Sequence, residues 1–243
     1  KGTMIGEKIM YHYFHGIDWT YIVFMLPCLI LSLICQVKVN SNFSKYSNVR
    51  NMRGMTGAQA AEYVLNHYGV HGVRIEQVAG NLTDHFDPRT NVIRLSDSVY
   101  NVASVAAVGV ACHEAGHAVQ HATGYVPNKI RGAIVPIARV GSSLGWILFL
   151  VGLFLPTQFS FCLWLGIIFF SASVLFTFVT LPVEFDASRR ALKCIRDTNL
   201  LYPEEYEGTK KVLQAAAMTY VASAATALLQ LLRLIFIANN RRR

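Results

Sequence analysis

FSFCLWLGIIFFSASVLFTFVTL, residues 159–181, is a run of apolar and small residues without a single charge, long enough as a helix to cross a bilayer. Just upstream, residues 140–155 form a second apolar run, and Pro156-Thr157-Gln158 between the two is too short for anything but a turn. The pair predicts a helical hairpin that starts and finishes on the same side of a membrane. Two further apolar runs flank it, at residues 19–35, interrupted by Pro27 and Ser32, and at residues 212–238, which contain Arg233. The first lacks a small-residue cleavage site and reads as a retained anchor, with Trp19 and Tyr21 in the interfacial aromatic belt. The last is bordered by Lys210-Lys211 and Arg241-Arg242-Arg243, so it either spans or lies along the protein.

Composition agrees. Of 243 residues, 53% are hydrophobic and only 15% charged, with a mean hydropathy of +0.36. That suits a chain whose partner is the lipid bilayer, not a soluble globular enzyme. The formal net charge of +8 comes from basic residues clustered beside the apolar runs. They read as cytoplasmic flanks; with no recognisable nucleic-acid motif, no nucleic-acid partner is expected. Five cysteines, an odd number without a CxxC pair, argue against a disulfide framework. The sequons Asn42-Phe43-Ser44 and Asn81-Leu82-Thr83 are weak patterns, and Lys1-Gly2-Thr3 before Met4 reads as a cloning remnant.

The hairpin returns the chain to the side that holds the polar stretch 40–131. Within it, Thr56 reads as an N-cap for a helix that ends at Gly69. Residues 73–78 and 91–95 alternate as strands, with a turn at Asp87-Pro88-Arg89-Thr90. A small sheet thus precedes a helix expected from about Ser98 to Ala122. That helix carries His113-Glu114-Ala115-Gly116-His117. Residues four apart share a helix face, so His113 and His117 can bind one metal ion. Glu114 points to the neighbouring side, where it can take a proton from a water that zinc has activated. Two surface histidines or a structural zinc are the plain alternatives.

A catalytic zinc usually has three protein ligands and one open position. On the far side of the hairpin stands Leu181-Pro182-Val183-Glu184-Phe185-Asp186-Ala187-Ser188. Glu184 is the leading third ligand, at the expected start of a new helix, with Ser188 one turn on as a supporting group. A helix-dipole role for Glu184 and ligation by Asp186 stay open. His121 has the wrong spacing for the metzincin pattern, and three ligands on one straight helix surround an ion poorly. Arg189, Arg190, Arg139, His85 and several tyrosines are eligible as oxyanion stabilisers.

These segments together resemble a family. His113 to Ala118, the two-span hairpin, and Leu181 to Ser188 followed by Arg189-Arg190-Ala191 are similar to the YugP-like bacterial membrane zinc metallopeptidases. Asp84-His85-Phe86-Asp87-Pro88-Arg89-Thr90 and Arg94-Leu95-Ser96 share that similarity, which covers nearly the whole chain. In layout the chain also resembles the HtpX and CAAX prenyl protease group, which places an aspartate where Ser188 stands here. The resemblance implies a zinc-dependent membrane peptidase with His113, His117 and Glu184 as ligands and Glu114 as general base.

The expectation is a mainly α membrane protein with about four hydrophobic helices and a zincin-like cytoplasmic α+β catalytic part. Its segments are 1–18, a membrane helix at 19–39, the catalytic part at 40–131, and the hairpin at 132–182. A cytoplasmic segment at 183–211 carries the third ligand, and a hydrophobic helix with its basic tail fills 212–243. Lysines and arginines follow the first and third apolar runs while residues 156–160 have none, placing the active site in the cytoplasm and the amino terminus outside. The expected activity is that of a gluzincin-like zinc metalloendopeptidase of a bacterial inner membrane, acting on polypeptides. A homo-oligomer or a complex with membrane partners is compatible with this reading. The rival from another class is a non-catalytic scaffold or adaptor with a structural zinc; the LDG motif of site-2 proteases is missing.

Overall fold

The structure is a computed structural model that describes residues 19–240; residues 1–18, with the Lys1-Gly2-Thr3 start, and the Arg241-Arg242-Arg243 tail lie outside the described residues. In chain order the elements are α1 (Trp19–Ser47), α2 (Gly57–His67), β1 (Arg74–Val78), β2 (His85–Asp87), β3 (Val92–Ser96), α3 (Val105–Ala122) and α4 (Val126–Phe154). A short 3-10 turn (Thr157–Phe159), α5 (Phe161–Asp197) and α6 (Pro203–Asn240) follow. The chain divides into two compact units. One comprises residues 19–34, 130–179 and 221–240 among those described, the other residues 35–129 and 180–220.

The first unit is purely helical. Four helices of the described chain, α1, α4, α5 and α6, are long and apolar enough to cross a membrane. Pro27 in α1 and Pro136 in α4 sit inside their helices, which membrane helices tolerate better than soluble ones. Phe149, Leu163, Ile167, Phe170, Val174 and Leu234 form this unit's core. Many large apolar side chains point outward instead, among them Phe154 and Ile168 at 69% and 64% exposure. In water that surface would be costly; against acyl chains it is the expected one. Within this unit α4 and α5 touch through glycines. A Cβ on Gly145 would stand 2.9 Å from the Gly166 carbonyl oxygen, and one on Gly166 would stand 2.7 Å from that of Gly145. Close backbone approach at small residues is how helices associate where lipid removes the hydrophobic driving force.

The second unit is built the other way round. Helix α2 buries Gly57, Ala60, Ala61, Val64 and Leu65, the i, i+3, i+4, i+7, i+8 stripe of an amphipathic helix. A capping box begins it: the Thr56 hydroxyl accepts from the Gln59 N–H, and the Gln59 side chain accepts from the Thr56 N–H. The sheet has the order β1-β3-β2, with β1 parallel and β2 antiparallel to β3. Val92, Ile93 and Leu95 of the central strand are fully buried. Strand β2 is an addition to the two strands expected from the sequence, paired to β3 through Phe86 and Ile93.

Two local expectations are corrected. The histidine-bearing helix starts at Val105, with Ser104 as N-cap, and not near Ser98. The reason is tertiary: residues 103–105 pair in extended form with residues 49–51, where the Asn51 N–H donates to Ala103 O and the Val105 N–H to Val49 O. That backbone is unavailable to a helix. Glu184, expected to open a helix, lies deep within α5, which continues through Pro182. Proline there forfeits one backbone hydrogen bond. Its neighbours Val183, Glu184 and Ala187 are nonetheless buried, and this packing holds the helix together.

Candidate metal centre

Helix α3 brings His113 and His117 together because they are one turn apart. Their Nε2 atoms are 3.2 Å from each other, and each is 3.4 Å from Glu184 Oε2 on α5. All three residues belong to the second unit, and they form a group able to hold a metal ion. Ligand atoms at the corners of a tetrahedron with zinc bonds of roughly 2.0–2.1 Å lie about 3.3–3.4 Å apart. The observed edges match that spacing, and two imidazoles with one carboxylate are a donor set that zinc favours. The residues present therefore fit a zinc ion with a fourth position left over.

The rings are held from behind. Gln120 is completely buried, and its amide nitrogen donates to Val183 O at 2.7 Å and to Asp186 Oδ2 at 3.0 Å. Both partners are acceptors, so the amide oxygen must face the other way, where His117 Nδ1 lies 3.1 Å from it. An amide oxygen only accepts, which fixes the proton on Nδ1 and leaves the Nε2 lone pair for a metal. His113 Nδ1 lies 3.0 Å from Ser188 Oγ, a hydroxyl that can donate or accept and so orients the ring without fixing its tautomer. Gly116 permits all of this. A Cβ there would come within 2.6 Å of the Ala187 carbonyl oxygen, so only glycine lets α3 lie this close to α5.

Glu114, the expected base, follows His113 on α3 and is 8% exposed. Asp186 does not join the ligand group. It is buried beside Gln120, receives Arg190 Nε at 2.6 Å, and pairs with Arg189. Those two arginines are thereby committed to Asp186. His121 is exposed and rests its ring on Phe86, with centroids 5.7 Å apart. His85 is exposed too, with Nδ1 2.8 Å from Thr83 O. Gln120 was not singled out from the sequence. Its one signal was its place three residues after His117, on the buried side of the same helix.

The comparisons with known proteins bear on this arrangement. Residues 21–239 match the family described as "Putative neutral zinc metallopeptidase", and the chain belongs to that family. Its class is thus that of the zinc metallopeptidases, here with four helices apolar enough to span a membrane. The chain is also 44% identical over 222 residues to the "Putative membrane protease YugP" of Bacillus subtilis (strain 168), covering 91% of this chain and 98% of that protein. No solved structure matches it.

Proposed function

We propose that this chain is a membrane-embedded zinc metalloendopeptidase in which His113, His117 and Glu184 hold the metal and Glu114 is the general base. The observation that carries the reading is the triangle of two Nε2 atoms and Glu184 Oε2 with edges of 3.2, 3.4 and 3.4 Å. Bound zinc supplies Lewis acidity, activating water near neutral pH and polarising a peptide carbonyl. His117 keeps its Nε2 lone pair turned inward because the Gln120 amide oxygen accepts from Nδ1, and Ser188 orients the His113 ring at its Nδ1. Glu114 accepts a proton from the attacking water as its oxygen bonds to the carbonyl carbon. The same carboxyl group then returns that proton to the amine nitrogen as the C–N bond breaks. The substrate class is polypeptide.

The zincin-like α+β catalytic part takes residues 40–131 and the segment 183–211 that carries the third ligand, and the apolar runs within 19–39, 132–182 and 221–240 form the membrane part. The protein sits in the cytoplasmic membrane with this site facing the cytoplasm. Support comes from the lysines and arginines that follow the first and third apolar runs, against none at residues 156–160.

The test is cleavage of an unstructured protein by the purified, zinc-loaded chain beside Glu114→Gln. General-base catalysis contributes about 10²–10⁴-fold, so kcat should fall by that factor while bound zinc stays unchanged. Equal behaviour of the two proteins with zinc bound would favour a scaffold with a structural metal.

A further inference from the structure

Within residues 180–220 of the second unit, α5 and α6 enclose a cavity of about 710 Å³. Its walls are apolar, with Phe185 and Leu192 from α5 and Leu213 and Met218 from α6. Its rim is a basic stripe, Arg189, Lys193 and Arg196, spaced along one face of α5. These side chains are 76%, 59% and 66% exposed. The carboxylates bound to them are Asp186, which is buried and shared with Arg190, and Asp197, which pairs with both Lys193 and Arg196. The stripe is left with an excess of positive charge.

The cavity is also graded from end to end. The short connection between Asp197 and Pro203 makes α5 and α6 antiparallel neighbours, so Arg196 and Tyr206 line the end near that connection. Phe185 and Met218 line the other end, half-open at 46% and 44% exposure. From that end each helix continues into its own apolar run. Lys193 and Arg196 toward one end and Phe185 and Met218 at the other, with Arg189 on the rim between them, complement an anionic amphiphile. Ser188 lines the same cavity, so an occupant would lie against the residue that holds His113.

We propose that this cavity binds one anionic phospholipid, its acyl chain along Phe185, Leu192, Leu213 and Met218 and its headgroup on Lys193 and Arg196. The site stands independently of the peptidase reading. The experiment uses the whole chain in mild detergent, equilibrated with dioleoylphosphatidylglycerol or dioleoylphosphatidylcholine, with retained lipids counted by native mass spectrometry. One phosphatidylglycerol should be retained in preference to phosphatidylcholine. Each lysine or arginine at a membrane surface contributes about fivefold to anionic lipid binding. The double variant Lys193→Gln/Arg196→Gln should therefore weaken retention about thirtyfold. Gln214→Trp, an exposed cavity-lining position where added bulk does not disturb the core, should block retention with zinc content and circular dichroism unchanged. Arg74→Gln, which removes an exposed cation on β1, should change nothing. Equal retention of the two lipids, or retention that survives Gln214→Trp, would overturn the site. So would a dimer that Gln214→Trp dissolves, because the occupant would then be a second copy of the chain.

Discussion

The two units of this chain use the same apolar residue types in opposite ways. In the unit with the sheet, Ile93, Leu95, Val64 and Val108 are fully buried. In the helical unit Ile168, Phe154 and Ile147 stand 64%, 69% and 57% exposed. The difference lies in the solvent each surface was built for. Water drives the first set inward, and a hydrocarbon surrounding removes that drive, so packing there relies on small residues such as Gly145 and Gly166.

The sharpest way to break this comparison is to place the same charge on both surfaces. Ile168→Lys should cost about 3 kcal/mol of insertion free energy, because a lysine near the centre of a membrane helix is disfavoured by that amount. Met52→Lys, at a 78% exposed position of the other unit, should stay within about 0.5 kcal/mol. Partition of the two variants between the membrane and aggregated fractions measures the contrast. Equal behaviour would mean that the exposed face around Ile168 does not meet lipid.

Gly116→Val tests the close approach of α3 to α5. The new side chain has a backbone carbonyl at 2.6 Å in its way, and overpacking of this kind costs about 1–3 kcal/mol. A lowered melting temperature together with loss of bound zinc is expected; full zinc occupancy would refute the contact. Gln120→Ala acts more narrowly. It removes the acceptor at His117 Nδ1 and one donor to Asp186. Zinc affinity should drop about 10–100-fold, read by competition with a chelator.

The smallest effect belongs to the exposed turn between β2 and β3. The Thr90 hydroxyl and the Arg89 N–H hold the Asp87 carboxyl well below its usual range, at about 2. A depressed folded value means that its contribution is present above the unfolded pKa and lost as pH falls through the folded one. Amide protection factors in this turn, taken relative to the intrinsic exchange rate at each pH, should therefore fall between about pH 4 and pH 2, and Asp87→Asn should abolish that dependence.

Much of this is written locally in the chain. The spacing of His113 and His117, the stripe of α2, the apolar runs and the strands near Ile75 and Ile93 follow from periodicity, which needs only near neighbours. The start of α3 at Val105, capped by Ser104, was not legible, because the competing pairing with residues 49–51 is formed by a distant segment. Glu184 was nominated from the sequence, but its place inside an unbroken helix was not, since Pro182 reads as a break until the packing around it is known. The Gln120–Asp186 and His113–Ser188 contacts join residues 66 and 75 positions apart. The sequence by itself determined which segments are long and apolar enough to cross a bilayer and which residues have metal-binding chemistry, because hydropathy and helix spacing are properties of short segments. Only the tertiary structure decided which carboxylate reaches the histidines and which supports them, because that depends on how closely two helices can approach at Gly116.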